Sequence, residues 1–178
     1  MNAYDFDETV YYGDSEFHFI EYIFAKYPSM KKYARRYKFY RFLQKKLKLI
    51  SRDAARVKIF AFLKVLDNVD KELAEFWAIH EKNLKKWYLD VKTTGDVIVS
   101  ATPGFILEPI AEKLGVKLIA TRMDKKTGEL SGTYNYGDVR PEKFYSDSYS
   151  DEPMAKLAAE AFMVSDDDIE PWNFEINR

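Results

Sequence analysis

A very short apolar run at the amino terminus, Ala3 to Phe6, is followed by a long stretch, Ser15 to about Lys86, in which little reads as a strand. This order constrains the fold more than any composition does. The stretch is rich in Phe, Tyr, Leu, Lys and Arg, and its apolar residues return at three and four, the repeat of a helix that buries one face. Pro28 with Ser29, Ser51 with Asp53, and Asp67 to Asp70 are candidate boundaries, which predicts helices over about 15–27, 29–48, 52–65 and 68–89.

Beyond Lys86 the texture changes. Asp96-Val-Ile-Val-Ser-Ala-Thr-Pro is an apolar run ending in small hydroxylated residues, the pattern of a buried parallel strand whose carboxyl end carries a site. Phe105 to Leu114 reads as a helix stopped by Gly115, Val116 to Thr121 as the next strand, and Met123 to Tyr136 as a hairpin turning at Lys125-Lys126-Thr127-Gly128. Phe144 to Ser146, Glu152 to Ala161 and Phe162 to Val164 then read as strand, helix and strand. Strands alternating with helices predict an α/β fold: a doubly wound, Rossmann-like parallel sheet, interrupted near its start by the helical block.

At 178 residues the chain is long enough for one well-buried domain carrying a small insert. With 47% hydrophobic and 32% charged residues, no apolar run long enough to cross a membrane, and no secretory leader ahead of the first strand, the expected location is the cytoplasm. The absence of cysteine excludes thiolate chemistry and disulfides, and two histidines, His18 and His80, leave little for a histidine metal cluster. Carboxylates must therefore do the chemistry. That favours a hard, oxygen-preferring ion such as Mg²⁺.

Three segments carry that chemistry. In Tyr4-Asp-Phe-Asp-Glu-Thr-Val, alternation along a strand through Phe6 sends Asp5 and Asp7 to the same side, where the chain leaves the sheet. One carboxylate can then serve as nucleophile and metal ligand while the other handles a proton. Ser100-Ala101-Thr102 closes a strand just before a helix, where a hydroxyl and free amides make a phosphate cradle; a plain helix cap is the competing reading. Asp147 and Asp151, four apart around a strand-to-helix turn, can reach one cation, or can simply cap that helix.

Together, Asp5-Phe-Asp-Glu-Thr9, the strand ending in Ser100, and Ser146-Asp-Ser-Tyr-Ser-Asp151 resemble the motifs of the haloacid dehalogenase superfamily of phosphohydrolases. A helical insert right after the first motif is similar to the cap of that superfamily's phosphoserine phosphatase-like branch. The resemblance implies a catalytic core over 1–13 and 90–178, a helical cap over 14–89, and Mg²⁺-dependent hydrolysis of a small phosphorylated metabolite through an aspartyl-phosphate. Asp5 would attack phosphorus and ligate Mg²⁺; Asp7 would be general acid and base, its carbonyl on the metal. Ser100 would hold a phosphate oxygen with Ala101 and Thr102 beside it, Thr9 would brace the loop, and Asp147 and Asp151 would serve the metal. The lysine that the family uses to neutralise the nucleophile lacks its usual helix, because Asn135 to Phe144 runs almost straight from hairpin to strand. Lys143 is the nearest lysine, with Arg140 or a cap residue as substitutes. Glu8 stands where a small residue is common in the family.

The net charge of −1 conceals a basic block: between Lys31 and Lys58 there are twelve basic residues and one acidic, Asp53. It reads as a solvated helix face, as a lid whose Arg52 or Arg56 meets the acidic end of a substrate, or as a surface for anionic lipid. Nucleic acid is not expected as a partner, since no recognisable motif accompanies the charge. The alternatives to the phosphatase are a non-catalytic relative on the same scaffold, a phosphotransferase, or an enzyme acting on lipid phosphate.

Overall fold

The computed structural model describes residues 1–132 and 139–175, apart from the Lys45 side chain; the far end of the expected hairpin, Thr133 to Tyr136, lies outside them. The chain opens with β1 (Ala3–Tyr4), then passes through α1 (Ser15–Lys26), α2 (Lys31–Lys45), α3 (Arg52–Ile59), α4 (Val69–His80) and α5 (Lys86–Val91). There follow β2 (Val97–Pro103), α6 (Gly104–Leu114), β3 (Lys117–Met123), β4 (Leu130–Gly132), β5 (Lys143–Ser146), α7 (Glu152–Ala155), β6 (Glu160–Ser165) and β7 (Asp168–Pro171).

Local chemistry explains three of the helix starts. Asp14, Ser51 and Asn68 each accept a main-chain N–H two or three residues into α1, α3 and α4, satisfying donors that the first helical turn leaves free. Gly115 ends α6 in the left-handed conformation, at φ 69°. The expected helix over 68–89 is two helices. Between them the chain pairs with the segment after β1: Tyr12 N–H donates to Asn83 O at 2.8 Å and Lys85 N–H to Val10 O at 2.9 Å. The expected helix from Glu152 to Ala161 stops at Ala155, and β6 starts earlier than Phe162, because Glu160 already pairs with Lys143.

The strands form one sheet in the order β4-β3-β2-β1-β5-β6-β7, parallel from β3 to β6 with antiparallel edges at β4 and β7. This is the doubly wound α/β architecture. The chain steps from β1 to β2 on one side and returns to β5 on the other, so a crevice opens at the carboxyl ends of these three strands. The five helices between β1 and β2 rest on an aromatic core that includes Phe6, Tyr11, Phe19, Phe60, Phe76 and Trp77, all buried. Trp77 Nε1 donates to Ile106 O of α6 at 2.7 Å, which ties α4 to the sheet side of the molecule. His18 and His80 belong to this packing: Tyr11 Oη bonds His18 Nδ1 at 2.8 Å, and the His80 ring stacks on Phe76.

Candidate active site

Asp5 and Asp7 leave β1 at the centre of the sheet and line one cavity of about 370 Å³ together with Ser100, Ala101, Thr102, Asp147 and Asp151. The strand itself ends at Tyr4, but Asp5 N–H still donates to Tyr145 O at 2.9 Å, so the ladder continues one residue and fixes where Asp5 starts. Phe6 is buried between them, which keeps the two carboxylates on the cavity side.

The two aspartates sit in different surroundings. Asp7 accepts from Ser15 N–H at 2.7 Å through one oxygen and from Thr102 Oγ1 at 2.6 Å through the other, and burial outweighs both donors to push its carboxyl up to about 6. Among the described residues Asp5 accepts one side-chain bond, from Thr9 Oγ1 at 3.1 Å. Its carboxyl is driven well above the usual range, first by burial and then by the negative charges of Asp151, Asp7 and Asp147. Thr9 in turn accepts from Asp147 N–H at 2.9 Å and approaches Asp147 Oδ1 at 3.4 Å, so one hydroxyl bridges the nucleophile candidate and the acidic turn. Asp151 stands one layer back: its Oδ2 accepts from Ser146 Oγ at 2.7 Å, and burial raises its carboxyl while Ser146 and Arg52 oppose the rise.

These donors suit Mg²⁺. Among the described residues no three acidic or histidine side chains converge into a ready cage, and the donors at hand are carboxylate and carbonyl oxygens. Mg²⁺ usually takes one or two protein carboxylates and completes its octahedron with water and substrate phosphate. Burial and the surrounding negative charges both disfavour the ionised form of Asp5, and a bound cation would offset them.

Two residues expected at the site are placed differently from the rest. Lys143 lies at the amino end of β5, opposite Glu160 of β6, while the cavity is at the carboxyl end, and it does not line the cavity; its Nζ sits 5.9 Å from the centre of the Phe162 ring. The reason is the strand itself: three residues of extended chain, Phe144 to Ser146, lie between Lys143 and Asp147, and the repeat carries the lysine away from the site. Thr102, expected in the phosphate cradle, has its hydroxyl committed to Asp7 and its amide to Ser100 Oγ at 3.1 Å. Ser100 Oγ accepts that amide, which leaves its own O–H to point at a ligand. Arg140 also lies outside the cavity lining.

Sequence reasoning missed Lys85. It is fully buried, and its ammonium donates to the main-chain carbonyls of Glu8, at 2.6 Å, and of Asp166, with the Tyr12 ring 5.0 Å away. Both clamped residues have left-handed backbones, Glu8 at φ 59° and Asp166 at φ 52°, so a single cation holds two unusual turns, one of them inside the Asp5–Thr9 loop. This also accounts for Glu8: its conformation turns its carbonyl toward Lys85, and its side chain is exposed.

The opposite wall of the cavity comes from α1, α2 and α3, through Glu16, Tyr37, Arg41, Gln44, Arg52 and Arg56. Arg56 is buried and pairs with Glu16 at 2.6 Å through Nη2, while its Nε has no acceptor among the described residues. Arg41 donates to Tyr37 Oη at 2.7 Å.

The family model described as haloacid dehalogenase-like hydrolase matches residues 3–156. Among solved structures, the chain is similar to a protein with unknown function from Bordetella pertussis Tohama I, with 20% identity, 90% of this chain and 87% of that one covered, and a TM-score of 0.70. It is also similar to a phosphoserine phosphohydrolase-like protein from Francisella tularensis subsp. tularensis SCHU S4, with 17% identity, coverage of 90% and 84%, and a TM-score of 0.52. At these identities the likeness is one of fold. No curated protein matches the chain.

Proposed function

The chain belongs to the haloacid dehalogenase-like hydrolases, and from that premise we propose that it is a Mg²⁺-dependent phosphomonoester hydrolase working through an aspartyl-phosphate on Asp5. The observation that carries the reading is the pair of half-buried carboxylates in one cavity. Asp7 is gripped at both oxygens and titrates near 6, while Asp5 is held mainly through Thr9 beside Asp147. Environments that separate two carboxyl groups in this way assign one to proton transfer and the other to attack.

Asp5 attacks phosphorus, and the departing alkoxide takes the Asp7 proton and leaves as the alcohol. Asp7, now ionised, draws a proton from water as the water oxygen attacks phosphorus, and Asp5 is released with inorganic phosphate. Ser100 donates its hydroxyl to a phosphate oxygen, and Thr9 keeps Asp5 in register with Asp147. The carboxylates of Asp5 and Asp147 and the carbonyl of Asp7 would hold Mg²⁺, with Asp151 behind them. The ion would supply the positive charge that keeps Asp5 ionised and offsets charge on the transferring group.

In the same reading, residues 14–89 form a cap over a core of 1–13 and 90–178. A cavity of about 370 Å³ suits a small metabolite. The Nε of Arg56, without an acceptor among the described residues, together with Arg41 and Arg52 on the same cavity wall, supports a second anionic group on the substrate, as in phosphoserine. A second reading, a phosphate-binding protein without turnover, draws on one observation: among the described residues no lysine lines the cavity. Phosphate release from a panel of phosphomonoesters, with and without Mg²⁺, separates the two. The enzyme gives Mg²⁺-dependent release, fastest for esters bearing a second anion. The binder gives Mg²⁺ and phosphate affinity with no release.

A further inference from the structure

The outer face of α2 and the segment after it have no role in the cavity. Between Lys31 and Leu49, eleven of the described residues are exposed: seven are Lys or Arg, and the other four are Phe39, Phe42, Leu47 and Leu49. None of the exposed side chains in this stretch is acidic or neutral-polar. The four apolar ones leave between 48% and 69% of their surface in solvent, with Leu49 the most open. The inner face of the same helix holds it to the protein, through buried Tyr33 and Tyr37 and through Arg41 and Gln44 at the cavity. Phe39, Phe42 and Lys46 succeed one another at helical spacing on the far side.

We propose that this face docks the protein on an anionic lipid surface. Charge selects the partner: seven unopposed cations on one face suit a layer of anionic head groups, and bulky apolar side chains among them suit the boundary between head groups and acyl chains. Phe39 and Phe42 offer rings for base stacking, but Leu49, the most open apolar side chain of the face, and Leu47 do not, so the apolar set as a whole suits acyl chains better than bases. Like charge across a two-fold disfavours a second copy of the same face. The inference goes beyond the phosphatase reading and does not depend on it.

Flotation of the full chain with phosphatidylcholine vesicles, with and without phosphatidylglycerol, tests it. Binding is expected only with the anionic lipid and is expected to weaken with salt. Arg35→Gln, Arg36→Gln and Lys38→Gln combined should weaken it on the order of a hundredfold. Phe39→Ser, Phe42→Ser and Leu49→Ser combined should weaken it about tenfold or more, with far-UV circular dichroism unchanged in both variants because all six side chains are exposed. No flotation at low salt would overturn the proposal, as would equal flotation with neutral vesicles. Tighter binding to an oligonucleotide that survives the Phe/Leu changes, or self-association abolished by the same changes, would replace lipid with nucleic acid or a second copy.

Discussion

Asp7 keeps its geometry because both of its oxygens are engaged, by Ser15 N–H and by Thr102 Oγ1. Thr102→Val retains the shape and removes the 2.6 Å bond. Since that bond favours the ionised form, its loss moves the Asp7 carboxyl above about 6 and loosens its aim. The acid needs its proton in the first step, so activity should extend to higher pH while the maximal rate falls about tenfold to a hundredfold. A pH–rate profile of Thr102→Val identical to that of the parent would contradict this. The aspartates were legible because alternation at a strand end places them together; Thr102 was legible only as a hydroxyl near the site. A sequence shows that a donor exists but not which acceptor takes it, and here the acceptor is 95 positions away.

At the scale of elements, the break between α4 and α5 is the instructive one. Helical periodicity runs on through it, yet the chain opens there so that Leu84 and Lys85 can pair with Val10 and Tyr11. Tertiary pairing overrides local propensity. The same break delivers Lys85 to the carbonyls of Glu8 and Asp166, partners 77 and 81 residues distant that no local pattern announces. Lys85→Met fills the space and leaves both carbonyls without their donor. It should cost about 2–4 kcal/mol of stability and lower turnover by disturbing the Asp5–Thr9 loop, as read by denaturant unfolding and by kcat at saturating substrate. Parental stability and rate in Lys85→Met would show that the clamp is idle. The edge strand β7 was missed for a simpler reason: all four of its residues are exposed, so it carries no apolar alternation to read.

Across the whole molecule, the order of elements made the sheet and its helical insertion legible, while the position of Lys143 required the register of β5 against β1 and β6. The acidic centre also sets how stability depends on pH. Asp5, Asp7, Asp147 and Asp151 all have folded-state carboxyls raised by burial, so their contribution is fully present in acid and is lost as pH rises through the folded values. For Asp7 the window runs from 3.8 to about 6, and the loss is on the order of 3 kcal/mol. The metal-free protein should therefore show a falling Tm above pH 4, and added Mg²⁺ should raise Tm more at pH 8 than at pH 5, where protons compete for the same oxygens. A Mg²⁺ effect that is larger at pH 5 would contradict the site. The central claim is attack by Asp5, and the most direct measurement is to quench the protein in acid during turnover of a phosphomonoester and map the phosphorylated peptide. The account predicts phosphate on Asp5 in the parent and neither label nor release in Asp5→Asn. Undiminished release from Asp5→Asn, or label on another residue, would contradict it.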